Sequence, residues 1–203
     1  MKLYNSRGPN PHVVRMFLAE KGVSIPLVEV DVMKAENREA AHLARNPHGQ
    51  LPALELDDGS FLSEVIPICE YLEELHPEPA LIGRTPKQRA ETRMWTRRVD
   101  LNICEPMANG FRFGVGLELF KPRIVTVPEA ADGLLRIARD RQGWLDSQIA
   151  GRTWICGDRF SLADIHLYCF VAFGALVGQP LDPALANLIA WRDRVAARPS
   201  AQA

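Results

Sequence analysis

The chain has 203 residues, enough for one or two domains. At 47% hydrophobic and 24% charged residues it has the balance of a soluble globular protein with a sizeable core. A formal net charge of −1 excludes the basic face of a nucleic-acid binder or of a protein drawn to anionic membranes. The start, Met1-Lys2-Leu3-Tyr4-Asn5-Ser6, lacks the apolar core of a signal peptide, so a cytoplasmic protein is expected.

Residues 2–5 read as a short strand, and Ser6-Arg7-Gly8-Pro9-Asn10-Pro11 as a loop by its glycine and prolines. Residues 12–21 have apolar positions at Val13, Val14, Phe17 and Leu18, a helical spacing. Pro11 suits the first turn and Gly22 the stop. Residues 27–32 alternate as a second strand, and 37–45 form a short polar helix. Strands at 52–56 and 60–62 flank the turn Asp57-Asp58-Gly59, and a helix covers 64–75. The order is β-α-β-α-β-β-α.

Within this half, Asn46-Pro47-His48-Gly49-Gln50-Leu51-Pro52-Ala53-Leu54 is a turn running into a strand. Proline cannot donate to a ladder, so Pro52 belongs at the strand's entrance, where a cis bond is cheap. A cis Leu51–Pro52 bond is expected, with the Leu51 amide and carbonyl facing outward toward an extended peptide. Leu62-Ser63-Glu64 then leads into the helix that Glu64 opens, where free amides and the positive dipole end favour an anion. The pair suits a short peptide carrying a carboxylate.

The stretch from His76 to Pro86, rich in proline and glycine, marks a boundary. Residues 1–78 are assigned to an α/β domain, 79–86 to a linker and 87–203 to an all-helical domain. Helices are predicted at 87–113, 129–149, 161–176 and 184–198. The most apolar, from Leu162 to Val177, contains Asp164 and His166 and is too short to span a bilayer, so it reads as a buried helix. Before it, Gly157-Asp158-Arg159-Phe160-Ser161-Leu162-Ala163-Asp164-Ile165 carries a capping box, Ser161 with Asp164, and staple positions at Phe160 and Ile165. Asp164 therefore reads as structural. Cys69, Cys104, Cys156 and Cys169 form no CxxC and read as reduced core thiols. No cluster has metal-ligand spacing and no phosphate loop is present.

These motifs, in this order, resemble the soluble glutathione transferase family across essentially the whole chain. Gln50-Leu51-Pro52 and Leu62-Ser63-Glu64 are similar to its thioredoxin-like domain, and Gly-Asp-x-x-Ser-x-Ala-Asp-Ile to its second domain. Gly8-Pro9-Asn10-Pro11 with Arg15, and Asn46-Pro47-x-Gly-Gln, are similar to a bacterial and fungal branch. The resemblance implies a homodimeric detoxification enzyme with glutathione as co-substrate, no other cofactor and no metal. It would join the glutathione thiolate to a hydrophobic electrophile, with some peroxide reduction open. A non-catalytic glutathione- or peptide-binding protein on the same fold is the alternative.

The chemistry wants a thiolate. Lowering a thiol pKa by about two units is worth about 2.7 kcal/mol. A helix N-terminus near Pro11 plus one donor supplies that much. Better-known classes aim a tyrosine, serine or cysteine at the sulfur. This loop offers Ser6 and Asn10, with backbone amides and water as the remaining reading; Tyr4, within the strand, reads as packing or surface. Ser6 is otherwise a turn residue and Asn10 a helix cap.

The resemblance places glutathione at His48, Gln50, Leu51, Pro52, Glu64 and Val65. The family usually has serine where Val65 stands, so the amide survives and the hydroxyl does not. Arg15 reads as a structural ion pair, His12 as solvated surface and His166 as a satisfied core residue. For the electrophile the candidates are Met107, Phe111, Arg112 and Phe113, with Phe120 beside them.

Overall fold

Apolar residues on both faces of β1 (Lys2–Asn5) make it the centre of a small sheet: Leu3 and Tyr4 are both buried. The computed structural model describes residues 1–203. The sheet has the order β2-β1-β3-β4, with β2 at Leu27–Glu29, β3 at Ala53–Glu55 and β4 at Phe61–Ser63. β1 runs parallel to β2 and antiparallel to β3, and β3 pairs antiparallel with β4. Helices α1 (Pro9–Lys21), α2 (Ala40–Leu43) and α3 (Val65–Leu75) complete the thioredoxin-like unit. One compact unit comprises Met1–Ala80 and Gln202–Ala203, and the other Leu81–Ala201.

In the first unit Phe17 and Met16 of α1 and Ile68 and Leu72 of α3 are fully enclosed. Lys21 and Glu73, also buried, form an ion pair, and the Lys21 ammonium donates to the Pro79 carbonyl at 2.6 Å. Buried charges persist only when paired in this way.

Several boundaries differ from the sequence expectation, and the larger differences have local reasons. α1 starts at Pro9, not residue 12, because Gly8 at φ 139° takes the N-cap and Pro9 then fits the first turn. β2 ends at Glu29, not residue 32. The Asp31 carboxylate collects the amides of Met33 and Lys34 at 2.8 and 3.2 Å and turns the chain. The helix expected at 37–45 is a 3₁₀ turn, Glu36–Arg38, and then α2, separated by extended backbone at Glu39. The helix expected at 87–113 is α4 (Pro86–Val99), a π-helical turn (Asp100–Cys104) and α5 (Glu105–Phe113). Pro106 cannot donate to the carbonyl four residues back. The ladder widens just before it, with Glu105 N–H reaching Asp100.

The second unit continues with α6 (Leu117–Phe120), which the sequence reading lacked, α7 (Ala131–Gln148), α8 (Leu162–Leu176) and α9 (Ala186–Ala196). Every residue from Leu162 to Val171 on α8 is buried, as the apolar run requires, and all four cysteines are buried free thiols. No helix is long and apolar enough to cross a membrane. The capping box at Ser161 forms, and the carboxylate of Asp164 does more than close it. Fully buried, it accepts from the amide and hydroxyl of Ser161, both at 3.0 Å, from the Ile155 amide at 2.9 Å and from the Trp191 indole at 2.8 Å. Phe160 packs edge-on against Trp154, 4.9 Å between ring centres.

Burial pushes the Asp164 pKa from an ordinary 3.8 up to about 6, against the pull of its donors. The folded chain therefore holds this proton more tightly than the unfolded chain. The proton-linked stability at Asp164 is highest below about pH 4 and is lost as pH rises through about 6. Asp164→Asn, which faces the Ser161 amide with an N–H, is expected to cost about 1–3 kcal/mol at neutral pH. In urea titrations at pH 4, 5, 6 and 7, the wild-type advantage over that variant should shrink by about 2 kcal/mol between pH 4 and 7. A pH-independent difference would contradict this.

Candidate functional site

The strand registers bring three irregular segments to one end of the first unit's sheet. Tyr4 pairs with Ala53 and Ala53 with Ser63. The end of β1 with the start of α1, the loop entering β3, and the junction of β4 with α3 therefore lie side by side.

At the first segment, Asn5 and Ser6 are each 5% exposed. Asn5 Nδ2 donates to Glu29 at 2.5 Å, and Asn5 Oδ1 accepts from Arg15 Nη1 at 2.6 Å. Arg15 also reaches the Ser6 carbonyl at 3.3 Å, so it serves the structural role expected of it. The Ser6 hydroxyl donates to the Arg7 carbonyl at 3.4 Å. Asn10 is not the helix cap: that position belongs to Gly8, and Asn10 lies in the first turn of α1 between two prolines. Neither proline has an N–H, and His12 gives its own to the Gly8 carbonyl at 3.3 Å. Asn10 therefore supplies the one uncommitted amide of that turn. His12 is partly buried rather than solvated. Tyr4 is packing: it is 4% exposed, its hydroxyl donates to Glu55 at 2.8 Å, and the Arg45 guanidinium lies 4.5 Å from its ring centre.

At the second segment the Leu51–Pro52 bond is cis, as expected from the sequence. Leu51 precedes both ladders, which begin at Ala53. The loop is held by side chains that the sequence reading passed over. Asn37 Nδ2 donates to the Gly49 carbonyl at 2.6 Å and Arg38 Nη1 to the His48 carbonyl at 3.1 Å. His42 and Asn46 both reach the Gln50 carbonyl at 3.0 Å. Gly49 at φ 61° has no room for a side chain, since a Cβ would sit 2.9 Å from the Asn37 carbonyl oxygen. The side chains of His48 and Gln50 are exposed.

At the third segment Glu64 is the N-cap of α3, not its first residue, at φ 68° and ψ 132°. Such a backbone on a non-glycine residue costs on the order of 1–3 kcal/mol and persists where its surroundings demand it, most often at functional sites. Ile68 donates to the Glu64 carbonyl at 3.1 Å and Pro67 has no N–H, which leaves the amides of Val65 and Ile66 at the helix start. Val65 is buried and Glu64 exposed.

The remaining candidates lie on α5 in the helical unit. Met107 is 4% exposed and packed inward: Gln142 Nε2 approaches its sulfur at 3.4 Å and Gln179 its carbonyl at 3.3 Å. Phe111 stands edge-on to Phe120 and Phe173, at 5.9 and 5.1 Å. Arg112 donates to Asn109 at 2.9 Å and lies 3.9 Å from Glu105. Phe111, Arg112 and Phe113 are all partly exposed. His166 is buried, its Nε2 3.1 Å from Asp100 on the π-helical turn, with Nδ1 left without a partner.

Family models for the glutathione S-transferase N-terminal and C-terminal domains match residues 1–74 and 114–199. The chain is 32% identical over 200 residues to glutathione S-transferase 2 of Saccharomyces cerevisiae, covering 95% of this chain and 84% of that one. It is 31% identical over 206 residues to glutathione S-transferase GstA of Escherichia coli O157:H7, covering 100% and 96% of the two chains. A crystal structure of a glutathione S-transferase domain-containing protein from Marinobacter aquaeolei VT8 superposes with a TM-score of 0.92 at 35% identity, over 99% of this chain and 100% of that one. With both domain models matched in order and identities above 30% over nearly the whole length, the chain belongs to the glutathione S-transferase family.

Proposed function

We propose that this protein binds glutathione across the end of the first unit's sheet and transfers its thiolate to a hydrophobic electrophile. The observation that carries the reading is the alignment of three donor sets at that end: Asn10, Leu51, and the amides of Val65 and Ile66. The cysteinyl backbone of glutathione pairs with Leu51 ahead of Pro52. The γ-glutamyl carboxylate meets the start of α3 at Val65, held there by the strained turn at Glu64. The glycyl end extends toward His48 and Gln50. The sulfur faces the start of α1, where the Asn10 amide and side chain are the proposed donors, joined by the Ser6 hydroxyl if it turns from its long bond to the Arg7 carbonyl.

A helix end contributes up to about 2 kcal/mol to a partly buried anion. One side-chain hydrogen bond adds about 1 kcal/mol, or more to a charged acceptor. Together they reach the stabilisation a thiolate needs at neutral pH. The thiol proton passes to solvent, the sulfur bonds to the electrophilic carbon, and a leaving group such as halide departs with its electron pair. For the electrophile the residues proposed are Met107, Phe111, Arg112 and Phe113 of α5, three apolar side chains and one cation that could meet a departing anion. The functional unit is a homodimer, to be seen as a dimer in sedimentation. Retention on immobilised glutathione followed by turnover of a chromogenic aryl halide tests the activity. Binding without turnover would leave a non-catalytic glutathione binder.

Val65→Ser should tighten glutathione binding about tenfold, because a hydroxyl would join the amide at a carboxylate. Calorimetric titration of the two folded proteins decides this. Equal or weaker binding by the variant places the carboxylate elsewhere.

Ser6→Ala and Asn10→Ala should each slow turnover about ten- to a hundredfold without abolishing it, since helix end and side chain contribute comparably. The acid limb of the pH–rate profile should move to higher pH, because the bound thiol loses a group that favours its ionised form. Loss of all turnover with glutathione still bound would identify that residue as the dedicated sulfur donor. Unchanged profiles in both variants would exclude both side chains.

A further inference from the structure

Two buried side chains converge on one carbonyl oxygen beside the binding edge. His42 on α2 and Asn46 just after it are each 2% exposed. His42 Nε2 and Asn46 Nδ2 each lie 3.0 Å from the Gln50 carbonyl oxygen. A carbonyl only accepts, so His42 carries its proton on Nε2. Its other ring nitrogen, Nδ1, is buried without a partner. Asn46 is fixed from its far end as well, its Oδ1 accepting from the His48 amide at 3.2 Å.

Both lone pairs of the Gln50 oxygen are thereby engaged. That carbonyl and the Leu51 N–H belong to one planar peptide unit and point in opposite directions. Holding the oxygen from two sides fixes the plane, and with it the direction of the Leu51 amide, before any ligand arrives. We infer that His42 is a positioning residue for glutathione binding, acting through the Gln50 carbonyl to pre-orient the Leu51 backbone. The inference rests on the reading that Leu51 pairs with the peptide. Pre-orientation removes an ordering cost from binding. The Leu51 contact is made equally with bound substrate and with the transition state, so its loss should appear in KM for glutathione and not in kcat.

The test is steady-state kinetics with an aryl halide, together with calorimetric glutathione binding, on the full chain. His42→Leu removes the donor and should raise both KM and Kd for glutathione about fivefold to tenfold, with kcat within about twofold and KM for the aryl halide unchanged. His42→Gln, whose amide nitrogen falls near the position of Nε2, should restore glutathione KM to within about twofold of wild type. If His42→Leu fails to fold, His42→Asn, polar but too short to reach Gln50, takes its place with the same expected shift. Wild-type KM in the donor-lacking variant, a fall in kcat with KM unchanged, or no rescue by His42→Gln would each overturn the inference. Wild-type protein that binds no glutathione would instead overturn the underlying reading of Leu51.

Discussion

The carboxylate of Asp164 takes hydrogen bonds from three separate stretches of the helical unit: the Ile155 amide, both donors of Ser161 and the Trp191 indole. Each of those residues is buried, and of their donors the Ser161 hydroxyl alone has a second acceptor within reach, the Cys156 sulfur at 3.5 Å. The turn before α8, the first turn of α8 and the position of α9 are therefore set by one side chain. An apolar residue of the same volume would fill the space and satisfy none of them. The price is a carboxylate out of water, visible as a proton held up to about pH 6.

The first unit solves a related problem differently. Its loop into β3 has no ladder to satisfy its carbonyls, so side chains do it: Asn37 at Gly49, Arg38 at His48, His42 and Asn46 at Gln50. Buried backbone must be paired by something, and where regular structure stops the sequence must supply the partners. Irregular backbone held this firmly keeps its shape while its outer edge stays available.

What was legible in the sequence is what is encoded locally. Ser161 and Asp164 are three residues apart, Asp57-Asp58-Gly59 makes its own turn, and proline at a strand entrance announces itself. The two-part architecture followed from the loss of strand patterning after residue 86. What escaped depends on contacts with no period: His42 meets Gln50 eight residues on, and Asn37 meets Gly49 twelve on. No periodicity distinguishes a buried histidine in a short polar helix from a solvated one. Helix starts slipped because Gly8 and Glu64 take N-cap roles with no side-chain bond to mark them. The π-helical turn before Pro106 had a signal, the proline itself, inside the run 87–113 that the apolar spacing joins into one helix.

The prolines at the start of α1 bear on which anions that end of the helix can hold. A tetrahedral oxyanion such as phosphate or sulfate is held at a helix N-terminus by several convergent amides. Pro9 and Pro11 remove two of them and His12 commits a third, so the turn presents Asn10 alone. One amide is too few for a polyatomic ion but enough for a single charged atom. The dipole remains while the cradle is gone. The start of α1 thus offers a dipole and a single backbone amide, a poorer match to a tetrahedral oxyanion than to an anion whose charge sits on one atom.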